Sequence, residues 1–509
     1  MQDLLKEPMW RASDLGRAVP DDEFGVSVCL PRWADVIGYE ERDPEVLRHF
    51  RSGYPRFCCP PAVGALFEAA DQELAIAGVE RCLVFPRVSH AQRCLEDIAR
   101  QTGRREGRAT AWRGLGVAIF PAEHYDAARG FWRFCGEVVS TRQARAALGR
   151  HEVETTVEQG REAEAVIRQR LADLSGQQAE DVFLFPSGMA ANYAVHRMLQ
   201  ALWGARRTAQ VDFPYVDVLK LQQRSGAGTH FLPLQKDGAE LAQLAALMQQ
   251  EELGAICVEA PSNPLLRCAN LPEIQALRDA RQAVTPLVVD DTVASVAEVD
   301  AFRYADVVTT SLTKAFSGVG DVLAGSVVLN RRSHWHARMQ EFFLHQADHS
   351  LWHEDAVALE KNSRDFVQRS ARFSASALEL AQWLRQRPEI GRVWYPDQDG
   401  GAGFEAIRRS GGGHGCLLSL VLKDRSLSPA FFDALEVTKG PSLGTNFTLA
   451  CPYVLLTHYD ELDWAESCGV PRDLIRVSVG LEDPADLRAR FEKALDRVGA
   501  DGGSPQSVG

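Results

Sequence analysis

Residues 181–203, DVFLFPSGMAANYAVHRMLQALW, decide the fold. Val182–Phe185 is an uninterrupted apolar run of strand length, and the segment after Pro186 reads as a helix. A strand apolar on both faces that passes straight into a helix is the repeating unit of a parallel sheet covered by helices. The alternation continues downstream. AICVEAP (255–261), PLVVDD (286–291), ADVVTTS (305–311) and AGSVVLN (324–330) read as further strands, with NLPEIQALRDARQ (270–282) as a connecting helix. The expected architecture is therefore α/β with a mainly parallel sheet. Residues 355–385 read as one long amphipathic helix. Beyond it, GCLLSLVL (415–422) and LIRVSVG (474–480) suit strands of a smaller α+β domain, and the Gly/Ser-rich end from Gly502 suits a frayed tail.

Upstream the texture differs. FGVSVCLPRW (24–33), ERCLVFP (80–86) and GLGVAIFP (114–121) are short β-prone runs between polar helix-like stretches, which predicts an α/β or α+β extension. Residues 142–174 read as helical with irregular apolar spacing, enough for two helices. The expected division is an extension over 1–130 with a structural or oligomerising role, a large domain over 131–375, a small domain over 376–500 and a tail over 501–509. A length of 509 residues is ample for two or three cores. The net charge of −13 disfavours nonspecific nucleic-acid binding, which needs a basic face. With no apolar run of membrane-spanning length and no secretory leader evident, a soluble, cytoplasmic protein is expected. The eleven cysteines lack CxxC spacing, so Cys257, Cys416 and Cys451 are expected as small core residues and no metal site is expected.

Ligands of open parallel sheets collect where strands end and helices begin. Four such ends carry suggestive residues. Ser187, Gly188 and Met189 stand at a strand-to-helix turn, where glycine lets backbone approach an anion and a helix N-terminus offers N–H groups. Small residues at such turns are common, so this signal is weak alone. Asp290 ends an apolar strand, where a carboxylate needs a cationic partner unless it serves as a helix cap or surface pair. Lys314 follows a strand, flanked by Ser311 and Thr313. Most such lysines are solvated, but a desolvated one becomes a nucleophile toward carbonyls. Arg476 lies inside a β-like run, where its fork either meets a carboxylate or points to water from an edge strand.

The order of these motifs (SGM, an aromatic, Asn, Asp, S-x-T-K, SLG, R-x-S-V-G) resembles the Cys/Met-metabolism family of pyridoxal-phosphate enzymes over about residues 136–498. Within it the resemblance is nearest to the fungal-type cystathionine γ-synthases. SVCLPRWADVIGYEE, GYPRF, DFPYVDVLK and KGPSLGTNFTLACPY are similar to their strings. The resemblance implies a fold-type I transferase that binds pyridoxal 5'-phosphate, with Lys314 as its Schiff-base lysine and Asp290 on the pyridinium nitrogen. It implies Gly188, Met189, Ser187, Ser311 and Thr313 around the phosphate, Tyr215 stacked on the ring, Asn263 at the ring 3-oxygen, and Ser442 and Arg476 on the substrate α-carboxylate. Arg142 matches an element that reaches the phosphate of a neighbouring subunit, which implies a homodimer or homotetramer with shared sites. Tyr54 and Arg56 are further candidates to contact the site.

The sequence departs from the family at Ser140 (a tyrosine in Y-x-R), Asp291 (asparagine), Ala315 (an aromatic) and Pro441 (often glutamate). The implied reaction is γ-replacement on an O-activated homoserine with cysteine, giving cystathionine. Sulfhydrylation, γ- or β-elimination, γ-replacement with another nucleophile, and a non-catalytic regulator on the same fold remain open.

Overall fold

A computed structural model of the protein describes residues 2–53, 58–235, 238–281 and 285–501. Tyr54, Arg56 and the Gly/Ser-rich tail lie outside the described residues. The centre is a seven-stranded sheet in the order Val182–Phe185, Gly325–Leu329, Val307–Thr310, Leu287–Asp290, Ala255–Glu259, Thr208–Val211, Thr229–Leu232. Neighbours from Val307–Thr310 to Thr229–Leu232 pair in parallel, and Gly325–Leu329 alone runs against both of its partners. The continuous apolar runs have their physical cause here. Val307, Val308, Leu287, Val289, Ile256 and Val258 are all buried, because helices cover both faces.

Local chemistry starts the elements where the sequence places them. The helix Gly188–Trp203 begins at Ser187, whose Oγ accepts the Ala190 N–H at 3.0 Å. Residues 142–174 fall into two helices, Thr141–Ala147 and Val157–Ser175. The single helix expected over 355–385 is instead His353–Asn362 and Phe366–Leu384. The break has a cause. Ser363 Oγ bonds back to Leu359 O at 2.8 Å, and Arg369 Nη2 takes the Asn362 carbonyl at 2.9 Å, so side chains replace the helical pattern there.

The small domain is a five-stranded sheet in which Ile475–Ser478 lies at the middle, between Leu417–Leu422 and Leu449–Pro452. Residues 61–135 build an antiparallel three-stranded sheet with Leu115–Pro121 central, covered by Pro61–Leu74, Val88–Thr102 and Tyr125–Cys135. It docks on the large domain through Phe131 against Tyr193, ring centroids 5.8 Å apart. Residues 2–53 pack elsewhere. Met9 exchanges backbone bonds with Thr438 Oγ1 (3.2 Å) and Lys439 N (3.0 Å), and Trp33 N donates to Asp433 Oδ1 at 2.7 Å. Strands of two residues, Ala18–Val19 and Ser27–Val28, cannot close a core of their own, so this stretch shares that of the small domain. All eleven cysteines are unpaired, and among the described residues no helix is long and apolar enough to cross a membrane.

Candidate active site

One cavity lies at the carboxyl ends of the sheet strands, closed above by the small domain. Ser187, Gly188 and Met189 enter it from the end of Val182–Phe185. Glu259 and Asn263 enter after Ala255–Glu259, Asp290 and Thr292 after Leu287–Asp290, and Ser311, Thr313 and Lys314 after Val307–Thr310. The small domain adds Pro441, Leu443, Cys451, Tyr453 and Arg476, and Tyr215 stands at a side wall. The topology thus collects in one place residues far apart in the sequence, Ser187 at one end of the large domain and Arg476 in the small domain among them.

Lys314 is 7% exposed, and its Nζ donates to Ser442 Oγ at 3.0 Å. Asp290 accepts the Thr292 N–H at 3.0 Å and Asn192 Nδ2 at 3.3 Å, and Thr309 Oγ1 fixes Asn192 at 3.2 Å. These donors are neutral. Burial raises the Asp290 pKa, and the hydrogen bonds offset the rise only in part. A carboxylate in this setting calls for a cation in the cavity.

Glu259 pairs with Asp290 across the parallel ladder. One of its oxygens takes the Tyr215 N–H at 2.7 Å, and Oε1 is buried with no hydrogen-bond partner among the described residues. Burial, then the charge of Asp290, pushes its pKa well above the carboxylate range. The acid that ends the strand AICVEAP is not among the residues expected from the sequence, although its position matches that of Asp290 on the next strand. Asn192, one turn into the helix after Gly188, and Tyr453 were likewise missed.

Arg476 sits in the middle strand of the small sheet, not at an edge, and is 3% exposed. Its hydrogen-bond partners are neutral oxygens: Pro441 O at 2.6 Å, Ser442 O at 2.9 Å and Asn263 Oδ1 at 3.4 Å. The guanidinium also lies 4.7 Å from the Tyr453 ring centroid. A buried cation surrounded by neutral acceptors is a receptor for an anion.

Other expected residues have local duties as well. Ser187 Oγ donates to Gly136 O at 2.7 Å while capping its helix, and Thr313 Oγ1 spans the N–H and C=O of Ala324. The N–H groups of Gly188 and Met189 belong to a first helical turn, which leaves them without partners in the helix. Gly188 must be glycine: a Cβ there would stand 2.7 Å from Ser311 Cβ. Arg142 lies outside this cavity, in a polar cleft, bound to Asp321 (3.1 Å) and Asp355 (3.1 Å) and stacked 4.3 Å from the Phe24 ring.

Known proteins give the same reading. Residues 157–496 match the family model "Cys/Met metabolism PLP-dependent enzyme", and residues 62–140 match "Fungal trans-sulfuration enzyme, N-terminal domain". A cystathionine γ-synthase of Neurospora crassa is 30% identical over 95% of this chain and 98% of its own. An L-2-amino-4-chloropent-4-enoate dechlorinase/desaturase of Streptantibioticus cattleyicolor is 34% identical over 95% and 98%. Among solved structures, a methionine γ-lyase from Micromonospora echinospora superposes with a TM-score of 0.54 and 27% identity, covering 64% of this chain and 84% of that one. The chain belongs to the Cys/Met metabolism family of pyridoxal-phosphate-dependent enzymes.

Proposed function

We propose that the enzyme breaks the bond between Cγ and its substituent in an α-amino acid and places a thiol there. With an O-activated homoserine and cysteine this yields cystathionine. The observation that carries the reading is the meeting, in one cavity, of a buried amine, a desolvated carboxylate and a buried guanidinium that has only neutral partners.

These residues fit pyridoxal phosphate. Lys314 offers the amine for its aldehyde, Asp290 the anion for its ring nitrogen, and the N–H groups of Gly188 and Met189 a cradle for its phosphate. When bound, the cofactor accepts the electron pair released at Cα. The chain does the rest. Arg476 and Ser442 hold the α-carboxylate and so fix which bonds at Cα face Lys314, while Asn263 would reach the 3-oxygen of the ring. Lys314 Nζ removes the Cα proton and then one at Cβ as the γ-substituent leaves with its bonding pair, and it returns both protons once the thiolate sulfur has bonded to Cγ; Ser442 Oγ accepts a hydrogen bond from this amine. Asp290, which accepts from Thr292 and Asn192, would hold the ring nitrogen as its anionic partner. Tyr215, whose N–H donates to Glu259, would stack on the ring.

A second reading, departure of the γ-substituent with no incoming thiol, is favoured by the apolar lining of Val28, Leu30, Leu443 and Leu456. It matches the desaturase named among the relatives. Acetyl-, succinyl- and phosphoryl-homoserine, each offered cysteine, sulfide or no acceptor, distinguish the readings by mass spectrometry of the products. Cystathionine formed with cysteine, and abolished together with the visible cofactor band in Lys314→Ala, is the expected result. Turnover that survives Lys314→Ala overturns the assignment.

A further inference from the structure

The N-terminal stretch reaches the site described above. Val28, Leu30 and Tyr39 line the same cavity as Lys314 and Arg476. Their placement is built into the fold. Val26 N donates to Gly320 O at 2.9 Å, and Ser52 Oγ donates to Gly25 O at 2.5 Å. A Cβ on Gly440 would stand 3.1 Å from Val28 O, so this backbone lies directly on the loop whose next two carbonyls, Pro441 and Ser442, receive Arg476. The helix Trp33–Glu40 packs on the helix Tyr453–His458, with Val36, Leu455 and Leu456 in one cluster. Tyr39 is fixed by stacking on Phe50, centroids 5.7 Å apart, and burial raises its phenol pKa, so it stays neutral.

We infer that this segment is the specificity wall of the enzyme: Val28, Leu30 and Tyr39, facing Leu443 and Leu456, select an uncharged γ-substituent and disfavour one that carries a carboxylate or phosphate. The inference rests on the proposed reading for its starting point, the α-carboxylate on Arg476 and Cα beside Lys314. From there the side chain must run into what remains of the cavity, and these apolar groups line it. The charged side chains lining the cavity among the described residues are Glu259, Asp290, Lys314 and Arg476. The last three are committed to cofactor and α-carboxylate, and the first is an acid. A second anion buried there meets no further cation among the described residues of this chain, and an unpaired buried charge is strongly disfavoured.

The test uses the full-length, cofactor-loaded enzyme with O-acetylhomoserine and O-succinylhomoserine, which differ chiefly in the terminal carboxylate. Two quantities are read: kcat/KM, and the affinity given by the change in visible absorbance when the amino acid binds. The expected result is at least a tenfold preference for the acetyl ester in both. Leu30→Arg, which places a cation on the wall, lowers that ratio at least tenfold. Leu30→Gln, polar without charge, serves beside it, and a retained cofactor band shows that each variant folds. Equal handling of the two esters by the parent enzyme overturns the inference. So does a ratio unmoved in a folded Leu30→Arg. If neither ester turns over but binding still prefers the acetyl compound, the proposed reaction fails and the wall stands.

Discussion

Asp291→Asn restores the amide usual in the family, and its effect on stability has a calculable pH dependence. Asp291 is 2% exposed, accepts Thr310 Oγ1 at 2.6 Å and lies beside Asp290. Burial is the main cause that raises its pKa from 3.8 to about 7, with Asp290 adding to the rise while Thr310 and Arg409 oppose it. Above pH 4 the unfolded chain releases this proton and the native state keeps it. Stability therefore falls as pH rises, at about 1.4 kcal/mol per pH unit, until the folded group itself ionises near pH 7. The accumulated loss is about 4 kcal/mol, fully present above pH 7 and absent below pH 4. Asparagine keeps the acceptor for Thr310 and has no proton to lose. Denaturant unfolding of the loaded parent and variant at pH 4.5, 6 and 8 measures the difference. The variant should match the parent at the lowest pH and exceed it by a few kcal/mol at the highest. An offset that is the same at every pH would refute the reasoning, because Asp291 would then ionise alike in both states.

Other outcomes follow from the same geometry. Arg476→Lys keeps the charge but loses the fork, and one amine cannot serve both the 441–442 carbonyls and a carboxylate. One charge-assisted bond is worth about 1.5–3 kcal/mol, so kcat/KM should fall roughly 10- to 150-fold while the cofactor band is unchanged. Undiminished activity would show that Arg476 does not bind the substrate. Glu259→Gln should alter melting and cofactor affinity little, because burial and the charge of Asp290 push the native acid toward its neutral form and the amide oxygen still accepts the Tyr215 N–H. Glu259→Ala removes the acceptor of that N–H, costs about 1–3 kcal/mol and weakens cofactor binding in a fluorescence titration. Equal damage from both variants would mean that the charge, not the hydrogen bond, matters.

Much of the large domain was legible because its strands are apolar on both faces, a pattern few other environments require. Val307–Thr310 and Leu287–Asp290 declare themselves by composition alone. The helix break at residues 363–365 was not legible. Amphipathic spacing continues through it, and the interactions that replace the helical bonds come from Arg369 and Ser363, side chains that fit an unbroken helix equally well. The dispersal of residues 1–130 was hidden for a different reason. Met9 finds Thr438 across 429 positions, and no local pattern in FGVSVCLPRW tells a strand that closes its own sheet from one laid on another domain.

The site divides along the same line. Lys314, Asp290 and Gly188 stand at strand ends, and strand ends are places a sequence reveals, so their chemistry could be anticipated from type and position. What a position cannot reveal is its partner. Asp290 and Glu259 occupy equivalent ends of adjacent strands, yet one receives an N–H and an amide N–H while the other keeps an oxygen without a partner. Only one of them is therefore equipped to remain an anion opposite a cationic ring. The same holds for the arginines. Within this chain Arg142 meets two carboxylates whereas Arg476 meets carbonyls, so of the two Arg476 has the uncompensated charge for an incoming acid in this cavity. The function of each charged residue follows from whatever in the fold already neutralises it.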